Sequence, residues 1–230
     1  MKWLPRRWRR FLVIVAALAG LSNLIIEYTP TIYRASPAPS ATIGHEELLT
    51  SAALEQLAIK GRAPKTGYSR SQFGDGWAMV DGCDTRQIIL YRDMTSVELD
   101  ADCRVISGVL DDPYTGQRLT YNRERSAEVQ IDHVVALSDA WQKGAQLLTY
   151  EDRVRLANDP LELLAVDGFA NQQKGDGDAA SWLPSNKSYR CEYVSRQIAI
   201  KRKYNLWVTP AEYSSMKTVL KSCVGFMLPK

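Results

Sequence analysis

The chain has 230 residues, 45% of them hydrophobic and 24% charged. That balance belongs to a folded globular protein and excludes bulk disorder, and the length allows one or two domains. The net charge of +3 hides a polarity: residues 1–35 sum to +5, residues 36–185 to −9 and residues 186–230 to +7. An acidic body with a basic C-terminal quarter is either a solvated helix pair or a surface that meets phosphates.

The N-terminus reads "KWLPRRWRR" and then "FLVIVAALAGLSNLII", sixteen mostly apolar residues without a charge. A basic region before an apolar one is the layout of an export signal. The stretch is long for a cleaved signal and short for a membrane span, so residues 1–35 are a signal peptide or an uncleaved anchor, with the remaining chain outside the cytoplasm. The four cysteines suit an oxidising compartment and contain no C-x-x-C pair, which argues against a zinc ribbon.

A Pro/Ser/Ala linker over 36–44 leads into a helix expected across "HEELLTSAALEQLAIKG" (45–61). Segment 62–84, rich in Gly and aromatics, reads as loop. "RQIILYRD" (86–93) and "CRVISGVLDDPYTGQRLTY" (103–121) read as short strands, with a turn at "DPYTGQ". "EVQIDHVVAL" (128–137) reads as a buried strand ending near Leu137. "TYEDRVRLAND" is a short helix with an approximate capping box at Thr149. "PLELLAVDG" (160–168) is a second strand entering a turn at Asp167-Gly168. "NQQKGDGDAASWLP" (171–184) begins as a turn and continues as a helix toward Pro184. Two helices close the chain, one over about 188–204 and one starting at Thr209 with Pro210 and Glu212 in a capping box. A short link makes them antiparallel, which brings Cys191 and Cys223 together and leaves Cys83 to pair with Cys103.

Of the two histidines, His45 sits beside Glu46 and Glu47 at a helix start and reads as structural. His133 follows Asp132 inside an apolar strand. Strand neighbours point to opposite faces, and a buried carboxylate is costly unless it is paired or metal-bound. Alone, Asp132-His133 also fits a structural hydrogen bond at a strand end. The following hairpin strand and "NQQKGD" change the balance, because they bring Asn171 toward the pair. Two oxygen ligands and an imidazole suit metal-assisted phosphodiester hydrolysis, in which a hard cation keeps several waters and a neutral imidazole deprotonates one of them.

With those residues in view, the chain resembles the HNH (ββα-metal) endonucleases. It is most similar to the group sharing its HNH region with the C-terminal part of GmrSD-type restriction enzymes. The likeness runs through "CDTRQIILYRD", "VLDDPYTGQ", "EVQIDHVVAL" and "DPLELLAVDGFANQQKGDGDAASWLP". It implies an α+β domain over 45–230 with a ββα-metal core at about 126–184, helical elaborations at both ends and stabilising disulfides. It implies His133 as general base and Asp132 and Asn171 as ligands of a divalent metal, Mg²⁺ before Mn²⁺ or another. The family's middle Asn falls on Glu162, a departure that touches the support of His133. Lys174 and Asp176 are further supporting candidates.

The expected function is therefore exported, metal-dependent hydrolysis of nucleic acid, DNA before RNA. Arg196, Lys201, Arg202, Lys203, Lys217 and Lys221 would hold the phosphate backbone. The alternative is an inactive extracytoplasmic module of the same fold that binds nucleic acid or an envelope partner, and Glu162 is the feature that favours it.

Overall fold

A computed structural model describes residues 48–229. The basic and apolar N-terminal segment, the linker at 36–44 and His45 lie outside the described residues. Among the described residues no helix is long and apolar enough to cross a membrane.

The protein is α+β. Helix α1 (Thr50–Glu55) is shorter than expected and buries Thr50, Ala53 and Leu54. A two-stranded sheet pairs β1 (Met79–Val80) with β2 (Cys83–Asp84). Helix α2 follows at Thr85–Asp93, where the sequence suggested a strand. The run Ile88-Ile89-Leu90 has strand-like composition. What makes it helical is the Asp84 cap, whose side chain accepts from the Gln87 amide at 2.9 Å, and the burial of Ile89 and Leu90 against neighbouring strands. A three-stranded antiparallel sheet then runs β3 (Thr95–Leu99), β4 (Val105–Asp111), β5 (Arg118–Asn122), with β4 in the middle and the "DPYTGQ" turn between β4 and β5.

The hairpin that carries the Asp-His pair is β6 (Val129–His133) against β7 (Leu163–Asp167), with Asp132 opposite Leu164 and His133 opposite Leu163. Strand β6 stops at His133, four residues earlier than expected. The chain bends away, and α3 starts at Leu137 (Leu137–Gln142). Helix α4 (Tyr150–Ala157) has the expected Thr149 cap, whose hydroxyl accepts from the Asp152 amide at 3.1 Å.

Both faces of the hairpin are covered. Val129, Ile131, Leu163 and Ala165 pack with Ile89 and Leu90 of α2. Leu164 and Val166 pack on the other face with Ala170, Val194 and Ile198. Helix α5 (Gly168–Lys174) begins directly after β7, where a turn was expected, and ends at Gly175, whose φ of +54° closes it well before Pro184. Asp167 caps it, accepting from the Ala170 amide at 2.7 Å. Gly168 has a packing reason: a Cβ there would lie 2.1 Å from the Ala127 carbonyl oxygen.

Helices α6 (Arg190–Lys203) and α7 (Pro210–Leu220) close the fold, the second with the expected Thr209–Glu212 capping box. The disulfides are Cys83–Cys103 and Cys191–Cys223, as expected. Between α3, α6 and α7 lies a buried charge cluster. The Lys143 ammonium sits 2.8 Å from Asp139, 2.7 Å from Asp178 and 2.7 Å from Glu212. Lys201 pairs with Glu212 at 2.8 Å, and Arg62 reaches Asp139 and Asp178 at 2.7 Å each. Lys201, expected on a phosphate-binding surface, is therefore an interior residue with no exposed surface. The charges of Glu212 and Asp139 outweigh its desolvation and hold its pKa above the usual lysine range.

Candidate active site

The alternation of β6 divides the Asp-His pair. Gln130 and Asp132 face α5, whereas His133 faces the other way. On the α5 side, Lys174 donates to Asp132 Oδ1 at 2.9 Å and to the His133 carbonyl at 2.8 Å. Tyr114, delivered by the "DPYTGQ" turn, donates its hydroxyl to Asp132 Oδ2. All three side chains are buried. Burial pushes the Asp132 carboxyl up against the opposing pull of Lys174 and Tyr114. Asn171 lies on this same side, but its Nδ2 donates to Gln130 Oε1 at 2.9 Å.

His133 lines a cavity of about 110 Å³ with Arg70, Phe73, Gly74, Gly76, Trp77, Leu137 and Ala157. Its Nε2 is 3.0 Å from the Ala157 carbonyl, which can only accept. Nε2 therefore carries the proton and Nδ1 the lone pair. Trp77 stacks beside the ring, centroids 5.7 Å apart and planes within 6°. Burial, and then the charge of Arg70, lower the imidazole pKa to about 3 against the weaker pull of the Ala157 carbonyl, so the ring is neutral across the physiological range.

Glu162 has no exposed surface. Its carbonyl accepts from the Val134 amide at 2.9 Å and its Oε2 from the Val135 amide at 3.2 Å. Burial pushes this carboxyl well above the carboxylate range, and the side chain ties down the residues that follow His133. Gln197 donates to the Val134 carbonyl at 2.8 Å and completes that support.

The expected trio of Asp132, His133 and Asn171 is thus not assembled around one point. Nor does the arrangement fit a divalent cation. Both Asp132 oxygens are engaged, one by an ammonium, and the Asn171 amide is bonded to Gln130. Among the described residues no group of three or more His, Cys, Asp or Glu side chains could hold a metal. Of the supporting candidates, Lys174 is buried on Asp132, while Asp176 is a surface residue paired with Lys65 at 3.3 Å, its carboxyl lowered by that bond.

The basic candidates also divide. Lys201 is interior. Arg196 spends its guanidinium on the Pro160 and Leu163 carbonyls at 3.2 and 3.0 Å, and Lys203 pairs with Asp159. Arg202, Lys217 and Lys221 are exposed. The sequence reading missed Tyr114, Trp77 and Arg70, because the turn and the loop that carry them show no periodicity. Aromatic side chains in a Gly-rich loop were the one available signal.

A two-stranded antiparallel pair, β6 with β7, carries the imidazole to the edge of a cavity and is followed by α5 in an α+β frame. The model of the C-terminal domain of GmrSD restriction endonucleases matches residues 87–219, and the chain belongs to that family. It is 39% identical over 209 residues to an uncharacterized secreted protein of Arthroderma benhamiae, spanning 90% of this chain and 98% of that one. No solved structure matches the chain.

Proposed function

We propose that this protein is an exported nuclease of the HNH type, hydrolysing phosphodiester bonds of nucleic acid, DNA before RNA, in a domain over 45–230. The observation that carries the reading is His133: a neutral histidine with its Nε2 proton fixed on a backbone carbonyl and its other nitrogen free to accept, lining a cavity at the end of β6. The pairing of β6 with β7, with α3 and α4 inserted between them in the chain and α5 directly after, supports a ββα reading, and the family match supports the same chemistry.

In this reading His133 Nδ1 takes the proton of a water that attacks phosphorus, the bond from phosphorus to the 3′ oxygen breaks, and that oxygen leaves with a proton from solvent. An empty site with a pKa near 3 makes a weak base. A bound phosphodiester places negative charge beside the ring, which favours the imidazolium and strengthens the base when substrate is present. Glu162 takes over the support that the family assigns to its middle Asn, since its Oε2, accepting the Val135 amide, holds the chain after His133 as an amide oxygen would. No step is assigned to a metal, because the residues around Asp132 do not fit one. The secreted name of the Arthroderma relative supports export.

The test is cleavage of plasmid and of labelled oligonucleotides by the full chain and by His133→Ala. Loss of about 10²–10⁴-fold with an unchanged circular dichroism spectrum is expected; equal activity of the variant would sink the mechanism. Activity that stops on chelation would mean that Lys174 gives way to a cation at Asp132.

A second reading, an inactive nucleic-acid or envelope-binding module, is favoured by one observation: Lys174 and Tyr114 occupy the carboxylate that a metal would need. Binding without cleavage under any divalent cation identifies it.

A further inference from the structure

The wall of the His133 cavity comes from the segment that the sequence presents as plain loop. Arg70 opens a 3-10 turn, Arg70–Phe73, whose Phe73 is 2% exposed. The turn is clamped from α4. Arg153 donates Nε to the Gln72 carbonyl at 2.8 Å and Nη2 to the Gln72 side chain at 3.0 Å. Phe73 packs edge-on against Trp141 and Tyr68. Gly74 and Gly76, at φ of +105° and +146°, then carry the chain on to Trp77. The Arg70 backbone is therefore set by packing on both sides.

The Arg70 side chain is treated differently from its neighbours. Arg62, Arg92, Arg153 and Arg196 all spend their guanidinium groups on carboxylates or carbonyls. Arg70 has no ion pair and no side-chain hydrogen bond among the described residues, and it is exposed at the edge of the cavity. A planar cation with open donors, on a fixed turn beside a neutral imidazole, has the chemistry that recognises a phosphate. The cavity, about 110 Å³, has room for a phosphate group beside His133.

We propose that this cavity is a phosphodiester pocket in which Arg70 pairs with the non-bridging oxygens of one strand phosphate, beside His133. The proposal rests on the nuclease reading only for what happens next; the binding itself stands on the pocket. Trp77 and Phe73 form the apolar side of the cavity. The same cation accounts for part of the empty-site depression of the His133 pKa, which a bound phosphate would offset.

The experiment uses the full chain, a short fluorescein-labelled single-stranded DNA read by anisotropy across a salt series, and cleavage of the same oligonucleotide in parallel. Arg70→Gln should raise Kd by about tenfold or more, as expected for a charge-assisted hydrogen-bonded contact. It should also flatten the log–log salt slope by about 0.7, one phosphate on a single strand. Arg70→Lys should recover part of the affinity. Inorganic phosphate should compete with the oligonucleotide in wild type and lose that effect in Arg70→Gln. Because the Arg70 side chain makes no ion pair and no hydrogen bond among the described residues, the thermal midpoint should change by little. An Arg70→Gln protein with wild-type Kd and salt slope overturns the proposal, as does a wild type that binds neither probe. If Arg70→Gln loses binding while wild type never cleaves, the pocket stands and the nuclease reading falls. If His133-dependent cleavage continues undiminished in Arg70→Gln, the nuclease reading stands and the pocket falls.

Discussion

Replacing Lys143 by Met removes an ammonium that three carboxylates share. Lys143 has no exposed surface, and Met keeps much of its apolar stem, so the loss is electrostatic rather than a void. The cluster holds three cations (Lys143, Lys201, Arg62) against three anions (Asp139, Asp178, Glu212). The variant buries one negative charge without a partner, and breaking a buried pair from one side costs about 3–5 kcal/mol. The dependence on pH carries a sign. Burial pushes the Asp178 carboxyl up, but the hydrogen bond and charge of Lys143, then Arg62, bring it down from 3.8 to about 2. Its wild-type contribution is thus complete above the unfolded value of 3.8 and disappears as pH falls toward 2. The shift is worth about 2 kcal/mol at most, and nearer 1 once screening on the half-open Arg62 side is counted. Without Lys143 the folded interior takes up a proton, so the variant loses stability as pH rises, by up to about 1.4 kcal/mol per pH unit. Urea denaturation followed by tryptophan fluorescence should show a gap from wild type that is widest at about pH 8 and narrows toward about pH 5. A variant within 1 kcal/mol of wild type at both values would refute this account of the cluster.

Glu162→Gln should be nearly neutral for stability at low pH and stabilising at high pH. Burial raises the folded carboxyl above its unfolded value, so wild type loses stability as pH rises from the unfolded pKa toward the folded one and the amide does not; parallel pH–stability curves would contradict that raised pKa. Gly168→Ala drives a Cβ onto the Ala127 carbonyl and should cost about 1–3 kcal/mol, whereas Gly61→Ala, with nothing within 4 Å, should leave the thermal midpoint unchanged. Neutralising Arg202, Lys217 and Lys221 should flatten the salt dependence of duplex DNA binding by about 0.9 for each phosphate lost, while Lys201→Met should lower stability instead; the reverse pattern would restore Lys201 to the surface. Replacing Cys191 and Cys223 by Ser should cost about 3–4 kcal/mol, read from the urea midpoint, because the bond closes a 32-residue separation.

Much of the fold was legible because its signals act over a few residues. Thr209, Pro210 and Glu212 announce the start of α7, Thr149 announces α4, and "DPYTGQ" announces the turn between β4 and β5. The cysteine pairing followed from the order of the last two helices. Local composition misled where tertiary context overrode it. The apolar Ile88-Ile89-Leu90 stretch within 86–93 became part of α2 because a cap and a sheet face were waiting for it, and strand β6 ended at His133 because the chain had to turn into α3.

The candidate site was half legible. His133 stood out as a histidine in an apolar strand, and the alternation of a strand already implied that Asp132 points elsewhere. What meets each of them comes from far along the chain: Tyr114 and Lys174 on Asp132, Arg70 and Trp77 beside His133, Glu162 under the bend that follows. Lys201 shows the same limit. Its neighbours in sequence are exposed cations, and only the approach of Asp139 and Glu212 makes it an interior one. The sequence by itself determined caps, turns, cysteine pairs and the residue types available for chemistry, because those depend on short-range geometry. The tertiary structure decided which charges are buried together and which face of β6 meets the cavity, because desolvation and pairing are settled only when distant segments pack.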